Sequence, residues 1–372
     1  MTANIRRKRF FDIPKIRFPD VGKLPETFMH PIGLLSNVHK QQSCCEDSWA
    51  VATVSCLSDL YGIRDGKNPD LDYAFVMSCY APKNFSKYYT SWGCNGDSPY
   101  NAIYFLYING TTTNTCWNSN LEESDVCKTN EVQGTCSRVS INCKDAQIYK
   151  LGESDLPGKN PDAFNVCPIL TSDNKLIWAD GNIIDPNKAR DYLRYLIQRG
   201  PIVTCFPYLE SFKDMSSTDW DPTTGIYTPH TGSITKSITG THCAVIVGWG
   251  PGYWILRNSW GTDWGPKYKD LPPGYWKHAT YSPKTALGSV DISLAPDHPL
   301  IRENTIMTGN KTDPIGTVIS LGISSTDISQ ILDISKLSYA PYLRDSQDTY
   351  PTYLWVTLFV IIVLLSAKVL VC

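Results

Sequence analysis

Residues 41–51 read QQSCCEDSWAV, and they place two thiols and a hydroxyl just ahead of a tryptophan at the start of a helix-forming run. Cys44, Cys45 and Ser48 can each act as a nucleophile once a base activates them. A base lies downstream. The runs THCAVIVGWG and GYWILRNSW are strand-like and joined by a Gly-Pro-Gly turn at 250–252, and His242 precedes Asn258 by 16 residues. Folded as a hairpin, the two runs set an imidazole beside a carboxamide.

The candidates differ in chemistry. A cysteine at a helix N-terminus beside an imidazolium has a depressed pKa, so its thiolate is already formed. A serine hydroxyl titrates far too high for that. It loses its proton only in the transition state and creates an imidazolium that needs stabilising. In a Ser-His-Asp enzyme, replacing that aspartate by asparagine lowers turnover by about 10⁴. Here Asp47 is the neighbouring carboxylate that could compensate for Asn258.

Such groups need elements to hold them. Residues 47–62 read as a helix, with Asp47 as cap and Ala50, Val54, Leu57 and Tyr61 on one face. A second helix is expected over 186–199, with Asp185 as cap, Pro186 at its first position and Gly200 as its stop. Its apolar face is Ala189, Tyr192, Leu193, Leu196 and Ile197. Strand-like runs follow at 201–209, 241–250 and 252–260. Helices first and strands later predict an α+β fold with two lobes and a cleft.

A chain of 372 residues, 42% of them hydrophobic, can bury a large core. A net charge of −2 gives no basic footprint for nucleic acid. Thirteen cysteines favour disulfides, the odd count leaving at least one unpaired. There is no CxxC pair and no HExxH, so neither a metal nor another cofactor is expected. Three glycosylation sequons, at Asn84, Asn109 and Asn310, point in the same direction as the cysteines but arise easily by chance.

Four segments in order resemble the papain and cathepsin family of cysteine peptidases: Gln42 through SCCEDSWA, SWGCNGDSPYNA around Cys94, THCAVIVGWG around His242, and LRNSWGTDWG around Asn258 and Trp260. LPETF at 24–28 resembles the start of that family's mature domain, and the resemblance covers about residues 24–280. It implies a papain-like fold with a helical lobe and a β-barrel-like lobe. It also implies a nucleophile at position 48, His242 as base and then acid, Asn258 as orienter, and Trp260 as a shield. Gln42 and the backbone N–H of residue 48 would hold the oxyanion. Asn95, Gly96 and Asp97 would line the substrate cleft. Cys45 and Cys94 match a family disulfide, and Cys79 matches half of another. A protein or peptide is the implied partner.

Several positions depart from that pattern. Ser48 stands where the family has cysteine, Glu46 and Asp47 replace small residues, Asp97 replaces a glycine, and Cys243 follows the histidine. Ser48 to His242 is 194 residues against a family spacing of roughly 130–150. A cysteine-rich insertion over about 105–180 accounts for the excess. Using Cys44 or Cys45 as nucleophile would require a register shift against Trp49. The family's pro-segments are long, whereas 23 residues precede LPETF. Similar proteins without a long pro-segment occur in large DNA viruses.

The ends add a location. Residues 1–23 form a short basic arm, and 291–350 are rich in Ser, Thr, Asp and Pro, as in a stalk. Residues 353–371 are apolar enough for a single-pass helix, with Lys368 able to snorkel and Tyr353 and Trp355 at the opposite interface. The expected location is a membrane, of a virion or a host cell. The sequence leaves three readings: a papain-type peptidase with weak or altered activity, a peptide-binding pseudoprotease, and a disulfide-rich envelope protein.

Overall fold

Three helices occupy the first half of the chain: α1 (Ser48–Asp65), α2 (Tyr73–Cys79) and α3 (Pro99–Ile108); α4 (Pro186–Ile197) precedes the longer strands. In chain order the strands are β1 (Phe28–Met29), β2 (Trp117–Asn118), β3 (Ser140–Ile141), β4 (Asn165–Val166), β5 (Ile169–Leu170), β6 (Leu176–Ile177), β7 (Ile202–Leu209), β8 (Ile226–Tyr227), β9 (Ile238–Gly250), β10 (Tyr253–Arg257), β11 (Tyr275–Ala279) and β12 (Thr317–Ser320). This is a computed structural model, and it describes residues 21–41, 45–79, 94, 96–97, 99–118, 140–141, 147–152, 165–166, 169–170, 176–177, 186–228, 238–280 and 317–321.

The helix expected over 47–62 runs from Ser48 to Asp65 and ends where Gly66 takes a left-handed conformation, φ 76°. It is more than amphipathic. Every residue from Ser48 to Gly62 is buried, because α2 and α3 cover one side of α1 and the sheet covers the other. The second expected helix is observed as α4, with Tyr192, Leu193, Leu196 and Ile197 buried against the opposite face of the sheet. Asp185 lies outside the described residues.

The main sheet runs β4–β12–β7–β9–β10–β11–β8, and β1 also pairs with β9. All pairings are antiparallel except β11 with β8. Side chains of β9 alternate between two cores. Cys243, Val245 and Val247 face the cluster built on α1, while Ala244 and Ile246 join a second cluster with α4, Trp254 and Trp276. Among the described residues this order has β4 and β8 at its ends, and these strands make up the strand-rich lobe of the expected α+β fold.

Two expectations about organisation change. Thr317–Ser320 pairs with β7 and Leu321 is buried in the α1 core, which interrupts the stalk read over 291–350. Its β-branched run, Thr-Val-Ile, suits a strand flanked by partners on both sides. The insertion over 105–180 also returns to the core, where Ile148 and Leu151 are buried and the Tyr61 hydroxyl donates to Lys150 O at 2.9 Å. Among the described residues no helix is long and apolar enough to cross a membrane, and 353–371 lies outside them.

A buried ion pair joins α1 to β10. Arg257 Nη2 donates to Asp59 Oδ2 at 2.7 Å and Nη1 to Oδ1 at 3.1 Å. Asp59 also accepts Ser36 N–H at 2.6 Å and the Ser36 hydroxyl at 2.8 Å. With its lone pairs satisfied, this pair fixes Arg257, and therefore the next residue, Asn258, relative to the helix that begins at Ser48.

Candidate active site

Ser48 is the first residue of α1, with Trp49 fully buried behind it. Its Oγ accepts the backbone N–H of Cys243 at 3.2 Å. The serine hydroxyl therefore touches the peptide that immediately follows His242. The approach is built by α1 packing across β9.

His242 and Asn258 meet as the hairpin predicts. β9 and β10 are paired, and Asn258 follows the last β10 residue. His242 Nε2 and Asn258 Oδ1 are 2.7 Å apart. That oxygen also accepts Ser259 N–H at 2.8 Å, which identifies it as an acceptor. The neutral imidazole therefore carries its proton on Nε2 and keeps Nδ1 as the basic nitrogen. The Trp260 ring lies 4.7 Å from the imidazole, and Phe206 lies 5.9 Å away on edge. Burial is the main cause that pulls the His242 pKa down, to about 4; the Asn258 bond opposes it and Lys213 adds to it. At neutral pH His242 is an uncharged but weak base.

Asp47 takes a role the sequence did not show. It is buried, makes no capping bond, and its Oδ1 finds no partner among the described residues. Burial raises its pKa to about 8. A neutral acid has no charge to lend an imidazolium, so Asp47 stands at the N-cap position without a side-chain capping bond and is not the compensating carboxylate at neutral pH.

The Cys45–Cys94 disulfide is formed, and Glu46 N–H donates to Cys94 O at 2.9 Å. The bond removes Cys45 as a nucleophile; Cys44 lies outside the described residues. Cys79 is also disulfide-bonded, and Cys56, buried in α1, is a free thiol. Gly96 sits at φ 78°, and a Cβ there would meet Glu46 Oε2 at 2.9 Å. Asp97 Oδ1 accepts from Asn101 Nδ2 at 2.7 Å, so this side chain is engaged by α3. Asn95 and Gln42 lie outside the described residues, as do Asn84 and Asn310, while the sequon residue Asn109 is buried.

Gln41 was missed. Its Oε1 accepts the Ser259 hydroxyl at 3.0 Å, its Nε2 donates to Cys45 O, and its N–H donates to Ser259 O at 2.6 Å. It bridges the nucleophile loop and the Asn258 loop. The only sequence signal was the Gln41-Gln42 doublet itself. Also missed was a disulfide between Cys205 and Cys243.

Residues 31–269 match the model of the papain family cysteine proteases. The chain belongs to that family. Pro-cathepsin H of Medicago truncatula is 24% identical over 255 residues, which is 67% of this chain and 57% of the relative. The oryzain gamma chain of Oryza sativa is 26% identical over 267 residues, 70% of this chain and 57% of the relative. A protein of Invertebrate iridescent virus 3 named as a probable cysteine proteinase is 24% identical over 283 residues, 64% of this chain and 50% of the relative. The chain thus spans about half the length of the curated relatives it matches. A Carica candamarcensis cysteine protease solved with E-64 aligns with 70% of this chain and 92% of its own, at TM-score 0.43 and 16% identity. Papain-family membership carries the α+β fold, and the site described above occupies the matched region.

Proposed function

We propose that this chain is a papain-family peptidase that cleaves peptide bonds in proteins, with Ser48 at the nucleophile position and correspondingly weak turnover. The observation that carries this is the 2.7 Å pairing of His242 Nε2 with Asn258 Oδ1 beside a helix that starts at residue 48. Ser48 Oγ attacks the peptide carbonyl while His242 Nδ1 takes its proton and later returns it to the leaving amine. The backbone N–H of residue 48, with Gln42, would donate to the developing oxyanion. The imidazolium is oriented by the uncharged Asn258 amide, and Asp47, protonated at neutral pH, lends it no charge. That is the feature that keeps the rate low.

A second reading has its own support. A hydroxyl nucleophile, a base pulled to about pKa 4 and a protonated Asp47 suit a protein that holds a peptide without cleaving it. One experiment separates the two. The intact protein and its Ser48→Cys and His242→Ala variants are incubated with a peptide pool and with a thiol-directed peptide probe. His242-dependent cleavage by the parent supports the peptidase. Capture of peptides without cleavage, with labelling gained by Ser48→Cys, supports the binding reading. No labelling of Ser48→Cys would remove the site from both.

The apolar run 353–371 supports a single-pass membrane anchor, and the similarity to a viral protein is consistent with a virion or host membrane. Alkaline carbonate extraction of the full chain tests the anchor, which fails if the protein leaves the membrane fraction.

A further inference from the structure

Cys205 and Cys243 stand opposite each other in the β7–β9 ladder, and their sulfurs are bonded. Their Cα atoms are 4.0 Å apart, the spacing of a narrow, non-hydrogen-bonded pair. In such a pair the Cys243 N–H points away from β7. On that far side β10 has already ended, since its pairing with β9 starts at Val245↔Arg257. Ser48 Oγ takes the bond a strand would have taken, at 3.2 Å. One residue back, His242 faces Phe206 on the opposite side of the sheet. Among the described residues the β9 segment bearing the base is laddered to β7, and the disulfide crosses that ladder directly beside the base. Both sulfurs are buried under α1, where Val51, Ala52 and Ser55 line the same small cavity as Cys243.

We propose that Cys205 and Cys243, through their disulfide, are positioning residues of this site: they hold the Cys243 N–H on the residue-48 nucleophile and set His242 against Asn258. The labelling arm of the test rests on the peptidase-site reading above. A displacement of about 1 Å in such a set costs on the order of 10²-fold in rate. Without the bond, β9 at 241–243 keeps its ladder to β7 and its bonds to Ser48 and Asn258 but loses its covalent tie, and the placement of His242 relative to residue 48 broadens.

The test starts with non-reducing peptide mapping of the full chain; free thiols at Cys205 and Cys243 would overturn the proposal at once. Two double variants, Cys205→Ala/Cys243→Ala and Cys205→Val/Cys243→Ala, are then made in the parent and in the Ser48→Cys background. Circular dichroism selects the one that folds. The expected result is labelling by the peptide probe at least ten-fold slower with its half-saturating concentration unchanged. The His242 imidazole, followed by NMR titration in the parent background, should move up toward the ordinary histidine range as water reaches it. Labelling within two-fold and an unmoved titration would reduce the disulfide to a stability element and overturn the proposal. If Ser48→Cys with its disulfide intact is not labelled, the peptidase reading has failed, and the His242 titration alone decides: a shift supports positioning, no shift refutes it.

Discussion

Asp47→Asn should make this protein more stable, and only above a definite pH. The folded-state pKa of Asp47 is raised to about 8 from 3.8 because its carboxyl is buried, with no partner for Oδ1 among the described residues. A carboxyl whose folded pKa is raised contributes stability that is fully present below about pH 4 and is lost as pH rises through about 8. Each pH unit between these limits costs about 1.4 kcal/mol, so at pH 7 the burial penalty reaches roughly 4 kcal/mol as an upper bound. Asparagine is isosteric and needs no proton to enter the same pocket. Its amide brings a donor that also needs a partner, which takes back about 1–3 kcal/mol. The net expectation at pH 7 is a gain of about 1–3 kcal/mol, or a few degrees in Tm. Urea unfolding of parent and variant at five pH values from 4 to 8 measures it. His39, His242 and Asp72 titrate in both proteins and cancel in the difference. A parent–variant difference that stays flat from pH 4 to 8 would refute the claim that Asp47 is neutral in the fold.

Three further outcomes follow from the same geometry. Asp59→Asn leaves Arg257 buried without its counter-charge and should cost about 3–5 kcal/mol in urea unfolding, with probe labelling of Ser48→Cys reduced as Asn258 loses its anchor. Gly96→Ala forces a side chain into a left-handed backbone at φ 78° and against Glu46 Oε2; a loss of about 1–2 kcal/mol and weaker peptide binding are expected, with part of the loss recovered in Glu46→Ala. His39 is pushed down to about 4 by burial, so its contribution to stability is present above pH 6.5 and lost as pH falls toward 4. Parent stability relative to His39→Gln should therefore drop by up to about 3 kcal/mol between pH 7 and 4 in paired unfolding curves.

The sequence by itself determined much of this protein. The motif ending in Trp49 fixed where α1 begins, and Ala50, Val54, Leu57 and Tyr61 marked one apolar face of a helix that the fold buries on every side. Alternation and a Gly-Pro-Gly turn paired His242 with Asn258, since a short hairpin leaves little freedom of register. Motif order gave the family and the Cys45–Cys94 bond. The tertiary structure decided the rest. That Asp47 is an uncharged acid depends on what surrounds it, and desolvation has no local signature in a sequence. Gln41 was distinguishable from Gln42 only once Ser259 and the Cys45 carbonyl stood beside it. Thr317–Ser320 looked like part of a stalk because four residues of strand have no meaning without β7 as a neighbour. The Cys205–Cys243 bond joins two residues 38 apart in the chain. Each sat in the middle of a recognisable strand, but which residues face each other across a sheet is set by the pairing of the whole ladder, which these strands reach only when folded together.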